Sequence, residues 1–161
     1  MYASALKEKL RKREMAVGTW LTFDFWPGYV EIYKKAGVDF IVLDLEHGSA
    51  GYAVAEDICR LGRLLDIPIA VRTEIAAYNI IRRYMDMGAA GLMVPWVETA
   101  EQIQTIRDAV FCAPEGRRGP GGVSVFALDD FSREAWAEVE QNFAIILQVE
   151  TPLGIERMKT I

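Results

Sequence analysis

"FIVLDLEHG" fills residues 40–48 and holds the single histidine of the chain. Residues 40–46 have the apolar density of a buried strand, yet the run ends in acids and an imidazole. Side chains alternate across a strand, so Ile41, Leu43 and Leu45 share one face while Val42, Asp44 and Glu46 share the other. One face is wholly aliphatic; the second turns polar toward its carboxyl end. The same division recurs in "IPIAVRT" (67–73), where Ile69 and Val71 oppose Ala70 and Arg72. It recurs again in "FAIILQVET" (143–151), where Ile145, Leu147 and Val149 oppose Ile146, Gln148 and Glu150.

Outward from these strands, apolar runs alternate with amphipathic segments, the pattern of parallel βα units. "VGTWLTF" (17–23) reads as a first strand and "GLMVPWV" (91–97) as a fourth. Helices are expected over 27–37, 54–65 and 78–88, the first with proline near its start and glycine at its end. Thr99 caps a helix over 100–110, with Gln102 placed for a capping box. A glycine- and proline-rich interruption over 112–131 is too long for a simple turn, and helices follow at 133–142 and from Pro152 on. From His47 to Arg72 is 25 residues, from Arg72 to Trp96 is 24, and from Trp96 to Glu150 is 54, about two units with the insertion included.

An open doubly wound sheet normally carries a glycine-rich phosphate turn after its first strand. "DFWPG" at 24–28 is no such turn. Polar residues gather instead at the carboxyl ends of several strands, where a (β/α)8 barrel builds its active site. The fold class is therefore α/β of the (β/α)8 TIM-barrel type. Such a barrel typically needs ~250 residues, and the chain has 161. The expectation is a single barrel domain over 1–161 that covers about the first five βα units and is incomplete at its carboxyl end.

A net charge of -5 and a pI near 5.0 argue against nucleic acid as a partner, since nothing forms a basic stripe. The one basic cluster, "KEKLRKRE" (7–14), reads as a solvated helix face. No apolar run approaches the ~20 residues of a membrane span, and no signal-peptide core is apparent, so a cytoplasmic protein with no membrane partner is expected. Cys59 and Cys112 lack metal or redox spacing and read as buried free thiols. Trp20, Phe23, Phe25 and Trp26 read as core or interface packing.

On the barrel reading Asp44, Glu46, His47, Arg72, Gln148 and Glu150 converge at one mouth. Each alone is accounted for by an ion pair or a strand-end cap. Together they suit carbonyl chemistry: a guanidinium for an anionic substrate, and an imidazole for proton transfer near neutral pH. A strand-buried Arg72 and Glu150 are costly to desolvate without partners or a ligand. The glycines of "GRRGPGG" (116–122) read as a structural loop, and Asp86, at the end of its helix, reads by itself as a surface residue.

"AGVDFIVLDLEHG", "IPIAVRT", "YMDMGAAGLMVPWVETAEQ", "PEGRRGPGG" and "LQVETPLGIE" follow one another from about residue 16 to the end. In order and spacing they resemble the HpcH/HpaI family of metal-dependent aldolases acting on 2-oxo acids. The resemblance implies that Glu150 binds a divalent ion, Mg2+, Mn2+ or Co2+. It implies that Arg72 holds the substrate's carboxylate and ketone oxygens, that His47 is the acid/base residue with Asp44 orienting it, and that Gln148 lines the pocket. It matches Asp86 to an aspartate that supports the proton relay of a neighbouring subunit in a homo-oligomer, a hexamer in the family. The family's second metal carboxylate belongs to a stretch expected beyond Ile161.

The expected function is a class II aldolase, a lyase that cleaves a 4-hydroxy-2-oxo acid to pyruvate and an aldehyde through a metal-bound enolate. No lysine stands at the end of the first five strands, so a Schiff-base route lacks its nucleophile. Two alternatives stay open: a citrate lyase-like enzyme acting on acyl-CoA thioesters, and a non-catalytic truncated homologue or partner subunit.

Overall fold

The computed structural model describes residues 3–128 and 130–161. Helix α1 (Ser4–Lys12) precedes β1 (Gly18–Leu21), α2 (Tyr29–Ala36), β2 (Phe40–Asp44), α3 (Tyr52–Leu64), β3 (Ile69–Arg72) and α4 (Tyr78–Asp86). Then come β4 (Gly91–Val94), α5 (Ala100–Val110), a 3₁₀ segment (Gly122–Ala127), α6 (Arg133–Glu140), β5 (Ala144–Leu147) and α7 (Pro152–Arg157). The five strands are all parallel and lie in the order β1-β2-β3-β4-β5. An order that never reverses contains no topological switch point, so the sheet is singly wound, as in a barrel.

The aliphatic faces inferred from alternation are the ones that meet the helices. Ile41, Leu43, Ile69, Val71, Leu92 and Val94 form one buried cluster with Val30 of α2, Ile58 and Cys59 of α3, Ile81 and Met85 of α4, and Ile106 and Ala109 of α5. The opposite face carries Val42 and Ala70 low down, both buried, then Asp44 and Arg72 at the strand ends. Burial pushes the Cys59 thiol up to about 12 and the Cys112 thiol up to about 11, which keeps both protonated and inert.

Strands are shorter than the apolar runs that announced them, for local reasons. Pro68 has no N–H to give a ladder, and β3 begins just after it; Pro95 likewise follows the last residue of β4. Beyond Asp44 and Leu147 each segment keeps one more bond to its neighbour, Leu45 N–H to the Arg72 carbonyl at 3.0 Å and Gln148 N–H to the Val94 carbonyl at 2.9 Å, before it turns into the site. The basic cluster over 7–14 is solvated as expected, with no buried residue in it, and its helix is anchored as well. Leu6 is buried, Lys7 Nζ donates to the Phe143 carbonyl at 2.6 Å, and Lys9 pairs with Asp39 at 2.6 Å, which ties α1 to the chain just before β5 and β2.

Among the described residues no helix is long and apolar enough to cross a membrane.

Gly91 marks the closest approach within the sheet: a Cβ there would lie 2.2 Å from the Ala144 carbonyl oxygen, its partner in the β4–β5 register. Backbone cannot step aside as a flexible side chain can. Gly91→Val is therefore expected to destabilise the fold by about 1–3 kcal/mol through overpacking, measured as a lowered denaturant midpoint; an unchanged midpoint contradicts the β4–β5 packing described.

Candidate active site

The site begins with a register. Asp44 and Arg72 are the last residues of β2 and β3, they are lateral partners, and alternation sends both side chains to the face away from the helices. Arg72 grips Asp44 with a two-pronged fork: Nε donates to Oδ1 at 2.8 Å and Nη2 donates to Oδ2. Paired N–H···O bonds of this kind fix direction as well as distance. Asp44 Oδ2 also accepts from Thr22 Oγ1 at 3.2 Å, and Oδ1 accepts the peptide N–H groups of Glu46 and His47 at 3.1 and 3.3 Å. Burial works against the Asp44 charge. The hydrogen bond from Arg72, the His47 N–H, the Arg72 charge and the Thr22 hydroxyl together outweigh it and hold the carboxyl below its ordinary value.

Arg72 is enclosed on further sides. Nη1 lies 3.2 Å from Glu46 Oε2, and the guanidinium carbon stands 4.7 Å from the centre of the Trp20 ring. The Asp44 hydrogen bond raises its pKa; burial opposes this, and the charges of Asp44, Glu46 and Glu150 add to the rise. A guanidinium has five N–H groups. The fork and Glu46 engage three of them, which leaves two for an incoming oxygen.

His47 stands at the rim with its side chain 65% exposed and its Nε2 3.8 Å from Glu46 Oε2. Asp44 meets His47 through the peptide N–H and not through the imidazole. The expected dyad is thereby corrected: Arg72 occupies the carboxylate that was to orient the ring, and the acid beside the ring is Glu46. The glycine after the histidine has a steric cause. A Cβ on Gly48 would lie 2.2 Å from the Asp44 carbonyl oxygen and 2.5 Å from the Phe25 ring, so only glycine lets the chain fold back over the end of β2.

Glu150 and Gln148 come from the segment after β5. Glu150 Oε1 accepts the Trp96 peptide N–H at 3.1 Å, and Oε2 accepts from Gln148 Nε2 at 3.2 Å. Trp96 adopts a left-handed backbone, φ 55°, which costs a bulky residue about 1–2 kcal/mol. Strain of this size persists only where neighbours impose it.

Asp86 takes a different position. It closes α4, and β4 starts at Gly91 shortly after, so Asp86 lies at the amino end of the sheet, away from the mouth. Its carboxylate accepts from Arg82 Nη1 at 2.9 Å and from Arg118 Nη1 at 3.1 Å. The chain does not bring Asp86 to its own His47.

Sequence reading overlooked Arg118 and Glu140. Arg118 is fully buried, donates to the Val110 carbonyl at 2.9 Å and stacks on Trp136; Glu140 accepts the Cys112 N–H at 2.6 Å and pairs with Arg133 at 2.9 Å. For Arg118 the signal was charge inside a glycine-rich loop; Glu140, the last residue of α6, gave none. The aromatic group at 20–26 divides: Trp20 covers Arg72, Phe25 packs on the core, and Phe23 is exposed.

As to a metal, Asp44 and Glu46 pair with Arg72 at the mouth and the charge of Glu150 also reaches it, a net negative charge suited to a cation. Gln148 Oε1 is buried without a hydrogen-bond partner. Among the described residues no three acidic, histidine or cysteine side chains cluster as a complete ligand set. A Mg2+-type ion takes one or two carboxylates and completes its shell with water and substrate oxygens. Glu150 with Gln148 beside it fits part of such a shell.

A singly wound parallel sheet with a charged site at its strand ends is the class of protein these features define, a partial TIM-type barrel. The chain belongs to the HpcH/HpaI aldolase/citrate lyase family, whose model matches residues 23–161. It is 28% identical over 160 residues to a 4-hydroxy-2-oxovalerate aldolase of Rhodococcus jostii, a match covering 98% of this chain and 61% of the relative. It is 30% identical over 166 residues to a hydroxypyruvate/pyruvate aldolase of Deinococcus radiodurans, covering 99% and 57%. The crystal structure of an HpcH/HpaI aldolase from Desulfitobacterium hafniense superposes with a TM-score of 0.88 at 28% identity, over 97% of this chain and 61% of that one. The chain thus spans about three fifths of the length of these relatives.

Because the Asp44 carboxyl is depressed, its contribution to stability is complete above the ordinary carboxylate value, ~4, and fades as pH falls through the folded value. Denaturant midpoints measured from pH 7 downward are expected to drop on the acid side. Asp44→Asn, which leaves Arg72 half-partnered, should cost about 3–5 kcal/mol at pH 7 and flatten that drop; curves that run parallel for both proteins contradict the role of the fork.

Proposed function

We propose that the protein is a class II aldolase, a lyase that cleaves a 4-hydroxy-2-oxo acid to pyruvate and an aldehyde, and that it works with a divalent ion, Mg2+, Mn2+ or Co2+. The observation that carries the reading is the Asp44–Arg72 fork at the carboxyl ends of β2 and β3. It presents a fixed guanidinium with two N–H groups to spare, beside carboxylates whose charge asks for a cation.

Arg72 binds the carboxylate and 2-oxo oxygens of the substrate and cannot act as a base, because its charge is reinforced from all sides. Asp44 holds the direction of Arg72 and stays ionised. Trp20 covers one face of the guanidinium and keeps water from it. When bound at Glu150, the ion supplies Lewis-acid polarisation of the 2-oxo group. His47 takes the proton of the 4-hydroxyl; as the bond between C3 and C4 breaks, the aldehyde leaves and the electron pair passes to the pyruvate enolate, with charge spread toward the oxygen that Arg72 faces. Transfer of a proton from His47 to C3, directly or through water, completes pyruvate and restores the site.

The two relatives named above are aldolases, which supports this reading over the acyl-CoA alternative.

In the protein at its full natural length, pyruvate in D2O is expected to exchange its methyl protons when Mg2+, Mn2+ or Co2+ is present, followed as deuterium uptake by mass spectrometry. EDTA should abolish the exchange, and His47→Ala or Arg72→Ala should slow it by about 100-fold or more. Exchange that survives EDTA removes the metal from the mechanism, and exchange unchanged in either variant removes that residue.

A further inference from the structure

The turn between β4 and α5 is bound to the turn after β5 at three points. The Val97 N–H donates to the Gln148 carbonyl at 3.1 Å, the Trp96 N–H to Glu150 Oε1 at 3.1 Å, and Thr151 Oγ1 to Glu98 Oε1 at 2.6 Å. One side chain organises the first of these turns. Gln102 Oε1 accepts the N–H groups of Glu98 and Thr99 at 2.8 and 3.0 Å, while Nε2 donates to the Trp96 carbonyl at 3.0 Å. A capping box requires only the exchange between Gln102 and Thr99. The bonds to Glu98 and to the Trp96 carbonyl go further than a cap needs, and the second of them holds a residue that is unfavourable in its observed conformation.

We propose that Gln102 is a positioning residue for Glu150. By holding the Trp96 carbonyl it maintains the left-handed turn at Trp96, the turn aims the Trp96 N–H at Glu150 Oε1, and that hydrogen bond sets the plane of the carboxylate while Oε2 stays beside Gln148. The inference rests on the reading of Glu150 as the metal carboxylate. Groups that orient a ligand from behind typically change metal affinity about 10–100-fold when altered. Gln102 touches neither substrate nor ion; it acts through a peptide group.

Two substitutions separate this role from plain helix capping. Gln102→Glu keeps the acceptor for Thr99 and Glu98 but loses the donor to the Trp96 carbonyl. Thr99→Ala breaks the cap and leaves that donor in place. Amide hydrogen exchange without metal, resolved at Trp96, Ile103 and Ile106, is measured first, and Mn2+ binding by calorimetry second, in the full-length protein. Gln102→Glu should speed exchange at Trp96 about tenfold or more with Ile103 and Ile106 still protected, and raise the Mn2+ dissociation constant about 10-fold. Thr99→Ala should lower the stability of α5 and leave both readings at Trp96 and for Mn2+ unchanged. Equal effects from the two substitutions, or a Gln102→Glu protein with parental exchange and affinity, overturn the proposal. A parent that binds no Mn2+ overturns the metal reading of Glu150 instead, and the exchange comparison still decides whether Gln102 holds Trp96.

Discussion

A guanidinium drawn out of water must be surrounded by partners that match its shape, and those of Arg72 follow from the way β3 lies against β2. The lateral pairing of Asp44 with Arg72 turns a strand register into a two-pronged ion pair, and a slip of one residue in either strand would send that strand's side chain to the helix face. The rest of the mouth is arranged around this fixed point. Thr22 and Trp20 approach from β1, Glu46 from the end of β2, and the charge of Glu150 from beyond β5. Removing either member leaves a buried charge without its main partner, so the site and the stability of the sheet's upper edge rest on the same pair.

Most of the architecture was legible in the sequence because alternation is a strict rule. Ile41, Leu43, Ile69 and Val71 face the helices as their spacing required, and the Thr99 capping box forms with Gln102. Strand lengths were overestimated where apolar character continued past the hydrogen-bonded ladder, as at Val149. Hydropathy records burial and is blind to pairing.

The site was legible as a set of residues and less so as a set of contacts. Asp44 and Arg72 stand at strand ends, whereas Glu150, expected to be buried in its strand, lies beyond β5 and is exposed; spacing along the chain also favoured an Asp44–His47 pair over the cross-strand Asp44–Arg72 fork that forms. Sequence neighbours compete poorly with a lateral partner whose geometry suits two hydrogen bonds at once. Arg118 and Glu140 were invisible for a related reason: burial of a charge depends on which distant segments close over it, and nothing in "GRRGPGG" or in α6 records that Asp86, Val110 and Cys112 supply the partners.

Helix α1 bears on the order in which the chain can assemble. Each strand pairs with the next one along the chain, so the sheet can grow one βα unit at a time as it is made. Lys7 meets its acceptor at Phe143, 136 positions later. Helix α1 therefore has no complete seat until the segment leading into β5 has been synthesised, and its docking reports that this segment is in place.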